Sequence, residues 1–242
     1  METGHDYFTS RQAQLLRDFD GAVQRIRPLL REYAGDPADA LIAQTRREYQ
    51  ALIPQLPFVG TREPFVQFII TSGWFLAMYR VLRARGWTVE QTGQLIYRIG
   101  EAMLKSYPRF VMRFMGARIF SRAYIEDARH RAAESQQRPY PDGWVAVFVE
   151  GDGKTFDYGV DYLECGICKF LASQGAPELA PYLCVADIHY SEAFGWGLQR
   201  TQTLAGGHGR CDFRFKKGGK TKVAVPAGLL GIADPEIVFP SS

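Results

Sequence analysis

All four cysteines of this 242-residue chain lie between positions 165 and 211, as Cys165-x2-Cys168, then Cys184, then Cys211. Thiols gathered in one stretch support three different chemistries. Cys165, Cys168, Cys184 and Cys211 could ligate zinc or an iron–sulfur cluster, but such sites commonly present two close pairs and only one pair is close here. Cys165 and Cys168 also stand where a strand gives way to a helix, so the positive helix end could lower a thiol pKa and support disulfide exchange. The order of elements around them is not the βαβ of disulfide oxidoreductases. The third reading is packing: free cysteine is among the most buried residue types, and Cys168 falls on the apolar side of its helix.

A polar cluster overlaps the thiols. It runs Cys184-x2-Asp187-x-His189, then Arg200-Thr201-x-Thr203, then Gly206-Gly207-His208-x2-Cys211-Asp212. A thiol, a carboxylate and an imidazole brought together could act as nucleophile, orienter and general base. Taken singly, His189 and His208 read as turn or surface histidines. Arg200, between apolar residues, suits two-pronged binding of a carboxylate, and its structural alternative is a salt bridge to Asp187 or Asp212.

These residues must be positioned by two kinds of element. From Ser10 to about Arg138 apolar residues recur at three and four, so the spacing predicts about five helices. Leu15, Leu16, Phe19, Val23 and Ile26 form one stripe, with Pro28 as a kink or end. Asp36-Pro37 marks a second start, continuing through Leu41, Ile42, Tyr49 and Leu52 to Pro54. Pro64 opens a third helix, Thr88 and Gln91 fit a capping box for a fourth through about Tyr107, and 108–134 is read as one more.

After the Pro139-Tyr140-Pro141-Asp142-Gly143 turn cluster the pattern changes. Trp144–Val149 and Thr155–Leu163 read as a hairpin, Cys165–Ser173 as a helix, Pro177 as the start of another, and Leu198–Ala205 with Arg210–Lys216 as a second strand pair. The fold class expected is therefore α+β. A helical region over 1–140 packs on a β-β-α-α-β-β antiparallel module over 141–242, and the two together are compatible with one compact domain.

Composition narrows the function. With 46% hydrophobic and 23% charged residues the chain is neither disordered nor a disulfide-stapled mini-protein. A net charge of +3, from 29 basic and 26 acidic side chains, argues against nucleic acid and against membrane attachment. METGHDYFTSRQ lacks the basic-then-apolar run of a signal peptide, so reduced thiols and a cytoplasmic location are expected. The apolar stretch Pro64–Tyr79 is shorter than the ~20 residues of a spanning helix and is read as a buried helix.

The blocks Glu164-Cys165-Gly-x-Cys168, Glu178-Leu-Ala-Pro-Tyr-Leu-Cys184-x2-Asp187, Leu198-x-Arg200-Thr-x-Thr203-Leu-Ala-Gly-Gly and Cys211-Asp-Phe-Arg-Phe215, in this order, resemble the L-2-amino-thiazoline-4-carboxylic acid hydrolase family. The likeness is close over roughly 144–216. The last strand pair also looks like the final hairpin of vinyl-reductase type small-molecule-binding domains, more distantly. The resemblance implies a bacterial enzyme that opens a cyclic isothiourea to N-carbamoyl-L-cysteine, with no cofactor expected and a small molecule as its partner.

On the matching positions, the resemblance implies that Cys184 or Cys165 is the nucleophile and Asp187 the general base or water orienter. His208 joins the catalytic set, Arg200 holds the substrate carboxylate, and Thr203 bonds the ring or intermediate. Thr201 and Asp212 complete the substrate contacts, and Cys211 supports the site. The same chemistry in reverse closes rings, so a cyclase belongs to the same expectation. The alternative is a non-enzymatic binding or sensing module whose cysteines hold a metal or cluster. Trp74, Tyr79, Tyr97, Phe110, Phe114 and Phe120 could wall an apolar pocket over the sheet, or simply form core.

Overall fold

A computed structural model describes residues 4–34, 37–62, 64–105 and 107–233. Met1 to Thr3, Asp36 and Glu63 lie outside the described residues, as does the end of the 141–242 module from 234 onward. The first half holds α1 (Gly4–Thr9), α2 (Gln12–Ala34), α3 (Ala38–Leu52), α4 (Phe65–Arg83), α5 (Val89–Lys105), α6 (Arg109–Gly116) and α7 (Arg122–Ser135). The second half holds β1 (Val145–Glu150), β2 (Tyr158–Glu164), α8 (Gly166–Ser173), α9 (Ala180–Cys184), α10 (Ala186–Phe194), β3 (Gln199–Arg200), β4 (Cys211–Phe215) and β5 (Lys222–Val223). The fold is α+β.

The expected stripe on α2 is buried from Leu15 through Ile26 and extends to Leu30. Pro28 does not end the helix, which runs on to Ala34, because buried anchors on both sides of the proline hold the turn against the core. The stripe packs with Tyr49 of α3 and with the strongly apolar α4. Each fully buried Leu or Phe here contributes about 1.5–3 kcal/mol. α4 is long and apolar enough to cross a membrane, but 56% of its apolar window is buried inside the protein, as a core helix requires.

The capping box on α5 forms as its spacing predicts: the Thr88 N–H donates to Gln91 Oε1 at 2.9 Å and the Gln91 N–H to Thr88 Oγ1 at 3.2 Å. The single helix expected over 108–134 is instead two. A 3-10 turn, Ala117–Phe120, separates α6 from α7, and Ser121 caps α7 by accepting the Tyr124 N–H at 3.2 Å. Gly116, the last residue of α6, lets α10 approach at this point, since a Cβ there would lie 2.1 Å from the Phe194 carbonyl oxygen.

The sheet order is β1-β2-β4-β3-β5, antiparallel except for the β3–β5 pair. β1 and β2 are the expected hairpin. Of the second expected pair, Arg210–Lys216 forms as β4, but of Leu198–Ala205 only Gln199 and Arg200 are strand, and β5 is an edge strand the sequence reading lacks. The Asp212 carboxylate explains the shortening. It accepts the Thr201 and Gln202 backbone N–H groups at 2.8 and 2.7 Å, taking donors a longer strand would have given to a ladder. Thr203 then caps a 3-10 turn, Leu204–Gly206, accepting the Gly206 N–H at 2.9 Å.

One large apolar cluster joins α1–α5 to Phe170 and Leu171 of α8 and Leu183 of α9. α7 covers the first hairpin through Ala132 against Ala146 of β1 and Val160 of β2. A third cluster gathers Tyr97, Tyr182, Ile188, Leu198 and Val223 behind β3 and β5.

Candidate functional site

Strand alternation decides which side chains meet. Tyr158, Val160 and Tyr162 of β2 stand opposite Phe215, Phe213 and Cys211 of β4, so these six share one sheet face. Tyr158 stacks on Phe215 at 5.0 Å, and Tyr162 meets Phe213 edge-on at 5.3 Å. The opposite face places Asp161 beside Asp212, a like-charge pair that would destabilise the sheet. Arg214 and Arg210 neutralise Asp161 at 2.7 and 3.3 Å, while the Thr201 hydroxyl donates to Asp212 at 2.6 Å.

Arg200 lies on the aromatic face, its guanidinium carbon 5.2 Å from the Phe213 ring centre, with only 1% of its side chain exposed. One Nη forms an ion pair with Asp187 of α10, and the other donates to the Cys184 carbonyl at 3.1 Å. Its Nε is buried without a partner. β3 is held beneath α10 by Ser191, whose Oγ accepts the Leu198 N–H at 2.9 Å and bonds Thr221 Oγ1 at 2.7 Å. Burial pushes the Asp187 carboxyl above its ordinary pKa, against the pull of Arg200.

Cys165 is the residue before α8, and its carbonyl accepts the Lys169 N–H at 3.0 Å. The Cys168 thiol, the Cys168 and Ile167 backbone N–H groups and the Trp144 indole all donate toward its sulfur. Led by the Cys168 thiol, they hold its pKa down to about 7 despite burial. Gly166 lets the indole approach: a Cβ at Gly166 would lie 2.8 Å from the Trp144 ring and 2.8 Å from the Asp142 carbonyl oxygen. The other thiols move the other way. Cys168 is raised first by its bond to Cys165, Cys184 by burial, and Cys211 by burial to about 11. Arg200, Asp187 and Cys165 all act electrostatically on both Cys184 and Cys211, so these groups border one region.

Arg200 thus contacts Asp187 and the Cys184 carbonyl, Cys165 and Cys211 act on the same groups through charge, and all four cysteines are free thiols. Thr201 and Asp212 bond each other and brace the loop, and Thr203 is a buried turn cap. The Leu204 N–H donates to Cys211 Sγ at 3.2 Å. His208 is half-buried beside Gly206, with its backbone N–H on the Thr203 carbonyl. His189 is buried, not a turn or surface residue: its Nε2 is 2.9 Å from the Tyr97 carbonyl oxygen and its ring packs on Tyr97. Among the described residues no three His, Cys, Asp or Glu side chains are gathered as a set of metal ligands.

Of the aromatic residues expected to wall a pocket, Trp74 and Tyr79 belong to the helical core and Tyr97 packs behind β3. Phe120 meets Tyr158 at 6.1 Å on the sheet face. Phe110 and Phe114 are 77% and 80% exposed and wall nothing. Trp144, Tyr162 and Phe213 were not singled out from the sequence. The alternation of Tyr162 with Cys211 and Phe213 was a legible signal for two of them.

Fold and site define an α+β protein in which a part-buried Arg200–Asp187 pair acts on the thiols of Cys184 and Cys211. The model of one family, L-2-amino-thiazoline-4-carboxylic acid hydrolase, matches residues 67–215, from α4 through β4. The chain belongs to that family, and its function is hydrolase-like at the level of the family. The match reaches well upstream of the motif blocks, into the helical half. No curated protein and no solved structure matches the chain.

Proposed function

We propose that this protein hydrolyses a small carboxylate-bearing cyclic isothiourea of the 2-amino-thiazoline-4-carboxylate type, with Cys165 as the nucleophile. The observation that carries this reading is the split among the thiols: Cys165 is held near neutrality while Cys168, Cys184 and Cys211 are pushed up. A thiol held near 7 is partly thiolate at neutral pH, and the thiolate is the attacking form.

The reaction balances with one water. The Cys165 thiolate adds to the ring carbon between nitrogen and sulfur, and the ring carbon–sulfur bond breaks with its electron pair leaving on the ring sulfur. Water then adds to the same carbon and expels the Cys165 thiolate. Oxygen becomes the urea carbonyl, and the two protons end on the ring nitrogen and the freed thiol. Asp187, fixed by Arg200, receives the proton of the attacking water, and its raised pKa suits a base. The unpartnered Nε of Arg200 is the remaining donor for the substrate carboxylate.

Incubation of the purified protein with 2-amino-thiazoline-4-carboxylate tests this directly. The expected result is one new thiol per ring opened and a product heavier by one water. Absence of turnover on this compound and on a panel of related thiazolines and cyclic amidines would overturn the reading.

A further inference from the structure

Between Glu101 and Glu126 the chain carries no carboxylate, but it carries Lys105, Arg109, Arg113, Arg118 and Arg122. All five cations are exposed, and among the described residues only Lys105 forms an ion pair, with Glu101 at 2.8 Å. The same segment holds the most exposed aromatic side chains of the described residues. Phe110 is 77% and Phe114 80% exposed, with Met115 at 52% and Tyr107 at 45%.

The geometry of α6 makes this a ridge. Met112 and Gly116 are its buried residues, and Gly116 seats the helix against Phe194 of α10. At 100° per residue, Phe110 and Phe114 fall on the side opposite those two, with Val111 and Met115 on one flank, so the aromatic edge points away from the protein. An apolar ridge on a helix whose other face is already seated marks a contact surface.

We propose that this face docks on an anionic lipid bilayer, with Phe110 and Phe114 entering the headgroup boundary and the flanking arginines meeting lipid phosphates and carboxylates. Charge selects this occupant. Aromatic side chains bordered by cations suit an interfacial helix on anionic lipid. A second copy joined through the same face would set five cations against five, with only Glu101 on Lys105 and Glu192 near Arg109 to offset them, a repulsive arrangement. The expectation of no membrane partner was drawn from net charge, which averages this patch against acidic residues elsewhere.

The test is flotation of the full-length protein with vesicles of phosphatidylcholine alone and with about one-third phosphatidylserine, at low and high salt. The proposal expects at least tenfold stronger binding to the anionic vesicles, weakened by salt. It also expects loss of that binding in the double variant Phe110→Ser, Phe114→Ser, whose thermal unfolding stays as in the wild type because both rings are exposed. Equal binding of the double variant would overturn it. So would no flotation with either vesicle, whether the face then proves to bind a second copy by sedimentation velocity or a single-stranded oligonucleotide by titration.

Discussion

Cys165 should be the thiol that alkylates first on the native protein, with a rate that rises about tenfold per pH unit below neutrality and levels off above about 7. Peptide mapping after brief iodoacetamide treatment at several pH values checks this, and preferential labelling of Cys184 would exclude the assignment. Arg200→Met tests the buried pair. Leaving Asp187 without its cation costs about 2–3 kcal/mol, toward the low end for such pairs because Asp187 keeps 31% of its side chain exposed. A carboxyl whose folded pKa lies above its unfolded value contributes stability at low pH and loses it as pH rises through the folded value. The deficit of Arg200→Met relative to wild type should therefore shrink on acidification, as denaturant titrations at two pH values would show. At this scale the sequence displayed the residue types, and the Arg200–Asp187 pair stood among its alternatives. Trp144 was not legible as a partner of Cys165, because that contact depends on the ring crossing Gly166 in three dimensions.

At the scale of elements, the start of α8 presents Cys165, the end of β3 presents Arg200 and the start of β4 presents Cys211. Gly166→Ala must displace the Trp144 ring or the Asp142 carbonyl, so it should raise the Cys165 pKa and slow alkylation at pH 7. An unchanged alkylation profile would show that the indole approach is not needed. Thr88→Ala removes a cap remote from these groups and should cost about 1 kcal/mol without altering thiol reactivity, as parallel unfolding and alkylation measurements would show. The capping box, the first hairpin and the α2 stripe were readable because their signals are local. The break between α6 and α7 and the two-residue β3 were not. The first goes with the close approach of Gly116 to α10, and the second is set by a carboxylate ten or more residues away in sequence.

At the scale of the whole molecule, the helical half supplies the main core, and α8 and α9 are built into it, so Cys165 at the start of α8 and Cys184 at the end of α9 are fixed by packing away from the sheet. That arrangement is consistent with a family match that begins at residue 67 rather than at the first strand. Whole-chain averages carried less. The charge of +3 concealed the cationic segment around α6, and hydropathy alone did not show that Phe110 and Phe114 face outward. The central claim is that the Cys165 thiolate opens the ring. Its most direct test is the rate of thiol release from 2-amino-thiazoline-4-carboxylate by the wild type and by Cys165→Ser, with folding of both verified by thermal unfolding. The account predicts turnover by the wild type and a loss of roughly a hundredfold or more in the variant, whereas a folded Cys165→Ser protein turning over at the wild-type rate would contradict it.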